Sequence, residues 1–320
     1  LSFKVLICDK VHEKCAEILR KAGFEVEVKD EISAEELKNI IKNFDCIILR
    51  GKTKLTSDIL EDCGRLKIVV RAGIGLDNID VRKAEEKGVK VYNTGEATAQ
   101  SVAELTFGLI LAVARKIPYA DSSVKRGEWI KSKLTGIILS GKTLGVIGFG
   151  RIGSRVAKIG KAFGMKVIVY DILFRENGKL AKAKLKEALE EGFRVALNLE
   201  ELLTEADVIT IHVPLTGDTR MLIGEREFNL MRKKPILVNT SRGGIVDEDA
   251  LYKALIEGKI SGVGLDVYSE EPPKNLKILN HPHVVCTPHI GAETFEAKEA
   301  AAIEAAKKVL EFTGCMVEEN

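Results

Sequence analysis

An α/β fold of two doubly wound, parallel-sheet domains is the expectation for this sequence, and three observations lead to it. Short apolar runs alternate with helix-like stretches along the chain, the order in which helices come to cover both faces of a parallel sheet. At 320 residues the chain is long for a single core, and two domains are the default. Finally, residues 142–171 hold a strand, a glycine turn, a helix and a strand in 30 residues, the size of one βαβ unit, with 141 residues already before them.

The elements follow in order. FKVLICD (3–9) is a short apolar strand ending in Asp. EKCAEILRKAGFEV has helical spacing, and Gly23 marks a helix end. DCIILRG (45–51) is a second, buried strand, LKIVVRAGIG (66–75) a third that ends in glycines, and Lys90-Val91-Tyr92-Asn93 a fourth. A long helical pattern runs from about Ala99 to Ile117. Beyond the glycine segment come a charged helical stretch (178–191) and three more strands, in ADVITIHVPL (206–215), KPILVNTSRGG (234–244) and ISGVGLDVY (260–268). The Ala-rich run AETFEAKEAAAIEAAKKVLEF is strongly helical and is expected to return to the first unit. No low-complexity linker interrupts the chain, so the domain join is expected in an ordered helix or turn.

Composition narrows the function. The chain is 45% hydrophobic and 30% charged, as ordinary soluble proteins are. Lys and Arg total 49 against 47 Asp and Glu, which gives no global reason to expect nucleic acid or an anionic membrane as partner. No signal peptide is visible, and the richest apolar run, LTFGLILAVA, is too short to cross a bilayer. The six cysteines form no C-x-x-C pair and mostly sit in apolar runs. They read as reduced core thiols in a cytoplasmic protein, and no metal site is expected. Glutamine occurs once, as Gln100, beside abundant Lys and Glu, a usage found in heat-adapted proteins with surface ion-pair networks.

GVIGFGRIG (145–153) contains G-x-G-x-x-G between a strand end and a helix start, the context in which that pattern binds a dinucleotide. Gly148 permits the tight turn, Gly150 lets a pyrophosphate approach the backbone, and Gly153 lets helix and strand pack closely. Arg151 and Ile152 lie at the helix N-terminus, whose free N–H groups and positive dipole end suit phosphate. Eighteen residues after Gly153, Asp171 ends the next strand. A carboxylate there accepts both ribose hydroxyls and repels a 2′-phosphate, so NAD is expected over NADP, although Arg175 lies four residues on.

A dinucleotide implies hydride transfer, and hydride transfer needs a proton donor or acceptor beside the substrate carbonyl. Of the five histidines, His12 falls in a charged helical run, and His281 and His283 flank Pro282 in a turn. His212 ends an apolar strand, where it either lines the cofactor edge or is a core histidine. His289 lies in CTPHIGA between a strand end and a helix start, its backbone fixed by Pro288 and Gly291. Carboxylate partners for a histidine include Asp266, Glu270 and Glu271, and such a bond fixes the ring's tautomer. Arg242 follows an apolar strand, where a guanidinium can fork onto a substrate carboxylate or form a surface salt bridge.

Together with GFGRIG, the segments NTSRGGIVDE (239–248), GLDVYSEEPP (264–273) and TPHIGA (287–292) resemble the D-isomer-specific 2-hydroxyacid dehydrogenases, and the resemblance covers nearly the whole chain in order. It implies that Arg242 binds the substrate carboxylate, that Glu271 pairs with the histidine, and that His289 is the acid/base. It implies that Asp266 holds the nicotinamide end and that Thr240 meets the cofactor through its backbone. RAGIGLDNID (71–80) resembles a family loop whose backbone N–H groups hold the carboxylate, so Ile74 and Gly75 are candidates, while Asn78 and Asp80 stabilise the turn. The resemblance also implies two Rossmann-like domains, one inserted in the other. Residues 1–98 and 291–320 would form a discontinuous substrate-binding domain and residues 99–290 the NAD-binding domain, with the active site in a cleft that closes to exclude water. A homodimer through the NAD domain is implied, a tetramer being possible, with Trp129 on the dimer-forming arm.

Within the family the chain is similar to members that oxidise 3-phospho-D-glycerate to 3-phosphohydroxypyruvate, the first step of serine synthesis. A doubly charged phosphate needs more than one cation, and Arg50 and Arg71, each at a strand end, are candidates with Lys52 nearby. Ile74 and Gly51 depart from the threonine and serine often found there. The chain stops at residue 320, without the regulatory domain of longer forms, so serine feedback through such a domain is not expected. The alternative is a glyoxylate or hydroxypyruvate reductase of the same family. A remote one is an NAD-sensing corepressor that binds peptides.

Overall fold

The computed structural model describes residues 2–315. The chain divides into two compact units, one taking the chain up to Ala99 and from Ala292 onward, the other running Gln100–Gly291. The first crossing falls inside the helix Gly95–Ala114.

The first unit is a five-stranded sheet of β1 (Lys4–Ile7), β2 (Glu25–Val28), β3 (Cys46–Leu49), β4 (Ile68–Arg71) and β5 (Lys90–Asn93), in the order β2-β1-β3-β4-β5. Every pairing is parallel. One face carries Val5, Ile7, Ile48, Ile68 and Val70 beneath Ala302, Ala305, Ala306, Val309 and Leu310 of the closing helix Phe295–Thr313. That helix starts where Thr294 Oγ1 accepts the Ala297 N–H at 3.1 Å and ends at Gly314. The other face packs Leu6, Ile47, Leu49 and Val69 with Leu37 and Leu60. Each of these fully buried Leu or Ile side chains contributes about 1.5–3 kcal/mol.

Two strands differ from the sequence reading. GFEV, grouped above with a helix, turns at Gly23 and becomes the edge strand β2. Its Glu-Val-Glu-Val pattern has the two-residue period of a strand, but its outer edge is exposed, and Lys4 pairs with Glu25 across the register at 3.0 Å. In the second unit, β8 is only two residues long, too short to leave a periodic signal.

That second unit is a seven-stranded sheet of β6 (Thr143–Ile147), β7 (Lys166–Tyr170), β8 (Arg194–Val195), β9 (Val208–Ile211), β10 (Ile236–Asn239), β11 (Gly262–Leu265) and β12 (Val284–Cys286). The order is β12-β11-β10-β9-β6-β7-β8, again all parallel. β9, β10 and β11 are buried at every position, as strands covered on both faces must be.

The helix Gly95–Ala114 is longer than the apolar run read from the sequence, and by length and composition it would suffice to cross a membrane. Its apolar face is used otherwise: Ala103, Phe107, Ile110 and Ala114 are buried with Leu144, Val146 and Val238 of the second unit. The helix stops short of Ile117 because Lys116 takes a left-handed conformation, φ 55°, and Pro118 opens a new helix, Ile117–Lys125. All six cysteines are free. Cys8, Cys15, Cys46 and Cys63 are buried core residues, whereas Cys286 is exposed and Cys315 half-buried.

Candidate active site

In the second sheet the strand order reverses beside β6, with β7 on one side and β9 on the other. A doubly wound sheet binds its ligand outside the carboxyl ends of the strands at such a point. Gly148 follows β6 there with φ 93°, and an added Cβ would meet the His212 carbonyl oxygen, which follows β9, at 2.6 Å. At Gly153 a Cβ would run into the Gly148 carbonyl oxygen. At Gly150 a Cβ meets nothing within 4 Å. Two glycines are thus required by the protein's own packing, and the third faces open space. Gly150 caps the helix Arg151–Ala162, and the first-turn N–H groups of Arg151 and Ile152 have no acceptor inside a helix. A pyrophosphate fits this cradle by shape and by charge.

Asp171 closes the cradle. Its Oδ2 accepts the Phe149 N–H at 2.7 Å and its Oδ1 the Leu173 N–H at 2.9 Å, so it ties the end of β7 to the glycine turn. Arg175, the cation that would suit a 2′-phosphate, turns away: it donates to the Leu197 carbonyl at 2.8 Å and lies over the Tyr170 ring. His212 borders the turn through its backbone. Its ring faces inward, Nε2 lies 2.8 Å from Thr210 Oγ1, and Nδ1 is buried. Burial pushes its pKa down to about 3, so the ring is neutral at ordinary pH. Thr240 also points its hydroxyl inward, 2.8 Å from Thr106 Oγ1, leaving its backbone toward the strand end.

Three loops at the carboxyl ends of the neighbouring strands β10, β11 and β12 carry Arg242, Glu271 and His289. His289 Nδ1 donates to Glu271 Oε2 at 2.8 Å, which leaves Nε2 as the outward nitrogen of a half-exposed ring. Glu270, the neighbouring carboxylate, pairs instead with Lys274. His289 sits at φ 53°, a left-handed conformation uncommon outside glycine. Asp266 enforces it: Oδ1 accepts from Thr287 Oγ1 at 2.7 Å and from Ile290 N at 2.8 Å, and Oδ2 from Gly291 N at 2.9 Å. Burial raises the Asp266 carboxyl above the usual range although these donors pull the other way. The structure therefore gives Asp266 a positioning role that the sequence reading did not assign. Asn239 does the same for Arg242, donating from Nδ2 to the Arg242 carbonyl at 2.9 Å and accepting the Ser241 N–H at 3.0 Å.

The first sheet, order 2-1-3-4-5, reverses between β1 and β3. Asp9 follows β1 and accepts the N–H of Arg50 at 2.6 Å and of Thr53 at 3.0 Å. Asn78 Nδ2 donates to the Thr53 carbonyl at 2.7 Å and the Arg50 carbonyl at 3.2 Å. Arg71, at the end of β4, donates from Nε to that same Arg50 carbonyl at 3.0 Å and lies over Gly73, where a side chain would collide with its guanidinium. Asn93 holds the Ile74 carbonyl at 2.7 Å, fixing the loop that presents Ile74 and Gly75. Asp80 caps the next helix through Lys83 N at 2.9 Å. Lys52 leans out toward Glu31 at 3.9 Å. Asp9, Gly73 and Asn93 were not singled out from sequence; the one available signal was Asp closing the first apolar run.

A dinucleotide cradle and a histidine held by a carboxylate within one doubly wound unit define an NAD-dependent oxidoreductase. Residues 107–291 match the family described as D-isomer specific 2-hydroxyacid dehydrogenase, NAD binding domain. D-3-phosphoglycerate dehydrogenase of Methanocaldococcus jannaschii is 49% identical over 311 residues, 96% of this chain and 57% of that protein. Hydroxypyruvate reductase of Thermotoga maritima is 45% identical over 316 residues, 98% of this chain and 99% of that protein. The chain thus spans little more than half the length of the archaeal relative. Among solved structures, D-lactate dehydrogenase from Aquifex aeolicus, complexed with NAD and lactic acid, superposes with a TM-score of 0.81 at 34% identity, covering 97% of this chain and 96% of that one. This chain belongs to the D-isomer-specific 2-hydroxyacid dehydrogenase family.

Proposed function

We propose that the protein oxidises 3-phospho-D-glycerate to 3-phosphohydroxypyruvate with NAD, the reaction that opens serine synthesis. The observation that carries this reading is the pair of arginines at the carboxyl ends of neighbouring strands, Arg50 and Arg71, in loops joined by the 3.0 Å bond from Arg71 Nε to the Arg50 carbonyl. Two cations built into one frame suit a phosphate dianion. The phosphoglycerate dehydrogenase relative supports the same substrate.

The chemistry follows from the second unit. Gly148, Gly150, Arg151, Ile152 and Gly153 hold the pyrophosphate, Asp171 the ribose, and Thr240 with His212 line the turn through their backbones. NAD supplies the hydride acceptor for oxidation and the donor for reduction. Arg242 anchors the substrate carboxylate and polarises the oxygen at C2. His289 Nε2 takes the proton of the 2-hydroxyl during oxidation and returns it to the 2-oxo oxygen during reduction. Glu271 holds Nδ1 and with it the tautomer, and Asp266 holds the backbone turn, beyond any contact with the nicotinamide. We further propose a homodimer through the segment around Trp129.

The second reading is a reductase of unphosphorylated hydroxypyruvate. It is favoured by the reductase relative, which matches along nearly its whole length, and by the ion pair that Arg50 makes with Glu293. NADH oxidation by the purified protein separates the two. A kcat/KM at least tenfold higher for 3-phosphohydroxypyruvate than for hydroxypyruvate and glyoxylate is expected; the reverse order assigns the protein to the reductase branch. In the same assay His289→Ala should lower kcat by about 10²–10⁴-fold.

A further inference from the structure

We propose that Glu293 sets the choice between phosphorylated and unphosphorylated acids by occupying Arg50 as an internal anion. The inference rests on the reading of Arg50 as a phosphate ligand and deepens it.

The backbone of Arg50 is fixed on both sides. Its N–H is held by Asp9 at 2.6 Å and its carbonyl by Arg71 and Asn78 at 3.0 and 3.2 Å. Only the side chain is left to respond to a ligand. That guanidinium pairs through Nη2 with Glu293 Oε1, and the two side chains are 28% and 36% exposed, so the pair is open to exchange with an incoming anion. Glu293 has a second cation: its Oε2 lies 2.5 Å from Lys298 Nζ, in the first turns of the closing helix. Burial alone would raise the Glu293 carboxyl, but the Lys298 hydrogen bond and the Arg50 charge outweigh it and hold it below the usual range. It is therefore an anion at neutral pH.

A carboxylate shared by two cations is a displaceable stopper. When a phosphate dianion takes Arg50, Glu293 keeps Lys298 and the start of a helix, where negative charge is favoured. The exchange therefore strands no charge. A substrate with no phosphate has nothing to trade for the Arg50–Glu293 pair and leaves it closed. Glu293 thus weakens phosphorylated acids selectively, and Lys298 limits how strongly it does so. Partly exposed pairs of this kind are individually weak, so the bias is modest, about twofold to fivefold.

The test compares kcat/KM for 3-phosphohydroxypyruvate and hydroxypyruvate in the parent, Glu293→Gln, Arg50→Ala, the double variant and Lys298→Ala. Glu293→Gln should raise the phosphorylated-to-unphosphorylated ratio about twofold to fivefold, through KM with kcat steady. In the Arg50→Ala background the same change should move the ratio less than twofold. Lys298→Ala, which leaves Glu293 to Arg50 alone, should lower it. If Arg50→Ala lowers the ratio and Glu293→Gln leaves it where it was, Glu293 is idle and the phosphate reading stands. A Glu293→Gln gain that persists without Arg50 also overturns the proposal, since it would be a general charge effect. If Arg50→Ala itself leaves the ratio unchanged, the phosphate reading fails and takes the proposal with it.

Discussion

His212 ties the stability of the protein to pH through one ring. Its pKa in the folded protein is about 3, against an ordinary value of 6.5. Between those values the unfolded chain binds a proton that the folded chain refuses, so stability rises with pH there. The contribution is complete above about pH 6.5 and is lost as the pH falls toward 3. Between pH 7 and pH 5 the parent should lose about 1–2 kcal/mol that a His212→Asn variant does not lose, read from denaturant midpoints at each pH. Parallel pH profiles would mean that the ring never resists protonation. Arg242, Glu271 and His289 were singled out because the segments NTSRGGIVDE, GLDVYSEEPP and TPHIGA resemble the family's, whereas position alone left Asp266, Glu270 and Glu271 open as the histidine's partner. Asp9 and Glu293 were not, because their meaning lies in partners 41 and 243 residues away, Arg50 in both cases. A carboxylate's partner is set by topology, which local sequence does not encode.

The glycine turn separates structural need from ligand need within six residues. Gly150 has open space where a side chain would go, whereas a Cβ at Gly153 would strike the Gly148 carbonyl oxygen. Gly150→Ala should therefore cost about 1 kcal/mol or less of stability, the scale of a changed helix cap, while weakening NADH at least tenfold by titration. Gly153→Ala should fold poorly or melt well below the parent whether or not NADH is present. Equal NADH affinity in Gly150→Ala would remove the pyrophosphate from this turn. The turn was readable because its glycines punctuate a strand and a helix of ordinary length. β2 and β8 were not: β2 alternates Glu and Val on an exposed edge, and β8 spans two residues. Both are defined by the neighbour they pair with rather than by their own periodicity. The helix Gly95–Ala114 was visible as an apolar run, but its end depends on Lys116 taking φ 55°, which no residue preference announces.

Both sheets reverse strand order at one place each; Arg50, proposed for the phosphate, is held by Asp9 at the first, and Gly148, proposed for the cofactor, packs against the His212 carbonyl at the second. What the two units leave unexplained is a set of apolar side chains on the surface of the second. Trp129 is 82% and Ile138 76% exposed, and Val124, Ile117 and Tyr119 are also exposed. All lie within the stretch 117–138, whose far end is anchored back on the helix Gly95–Ala114 by the bond from Ile137 N to the Ala114 carbonyl at 3.0 Å. An ordered segment that holds so many large apolar groups in water is unusual for a monomer and suits a self-complementary contact. The occupant proposed is a second copy of the chain, since an isologous interface brings each Trp129 against an equally apolar partner surface. Sedimentation should therefore give twice the 35.1 kDa chain mass. Placing a charge at the centre, by Trp129→Asp together with Ile138→Asp, should yield a folded monomer. Binding of NADH should survive in that monomer, because the cradle at Gly148–Gly153 belongs to one chain. A parent that sediments as a monomer at micromolar concentration would leave this apolar stretch without the partner proposed for it.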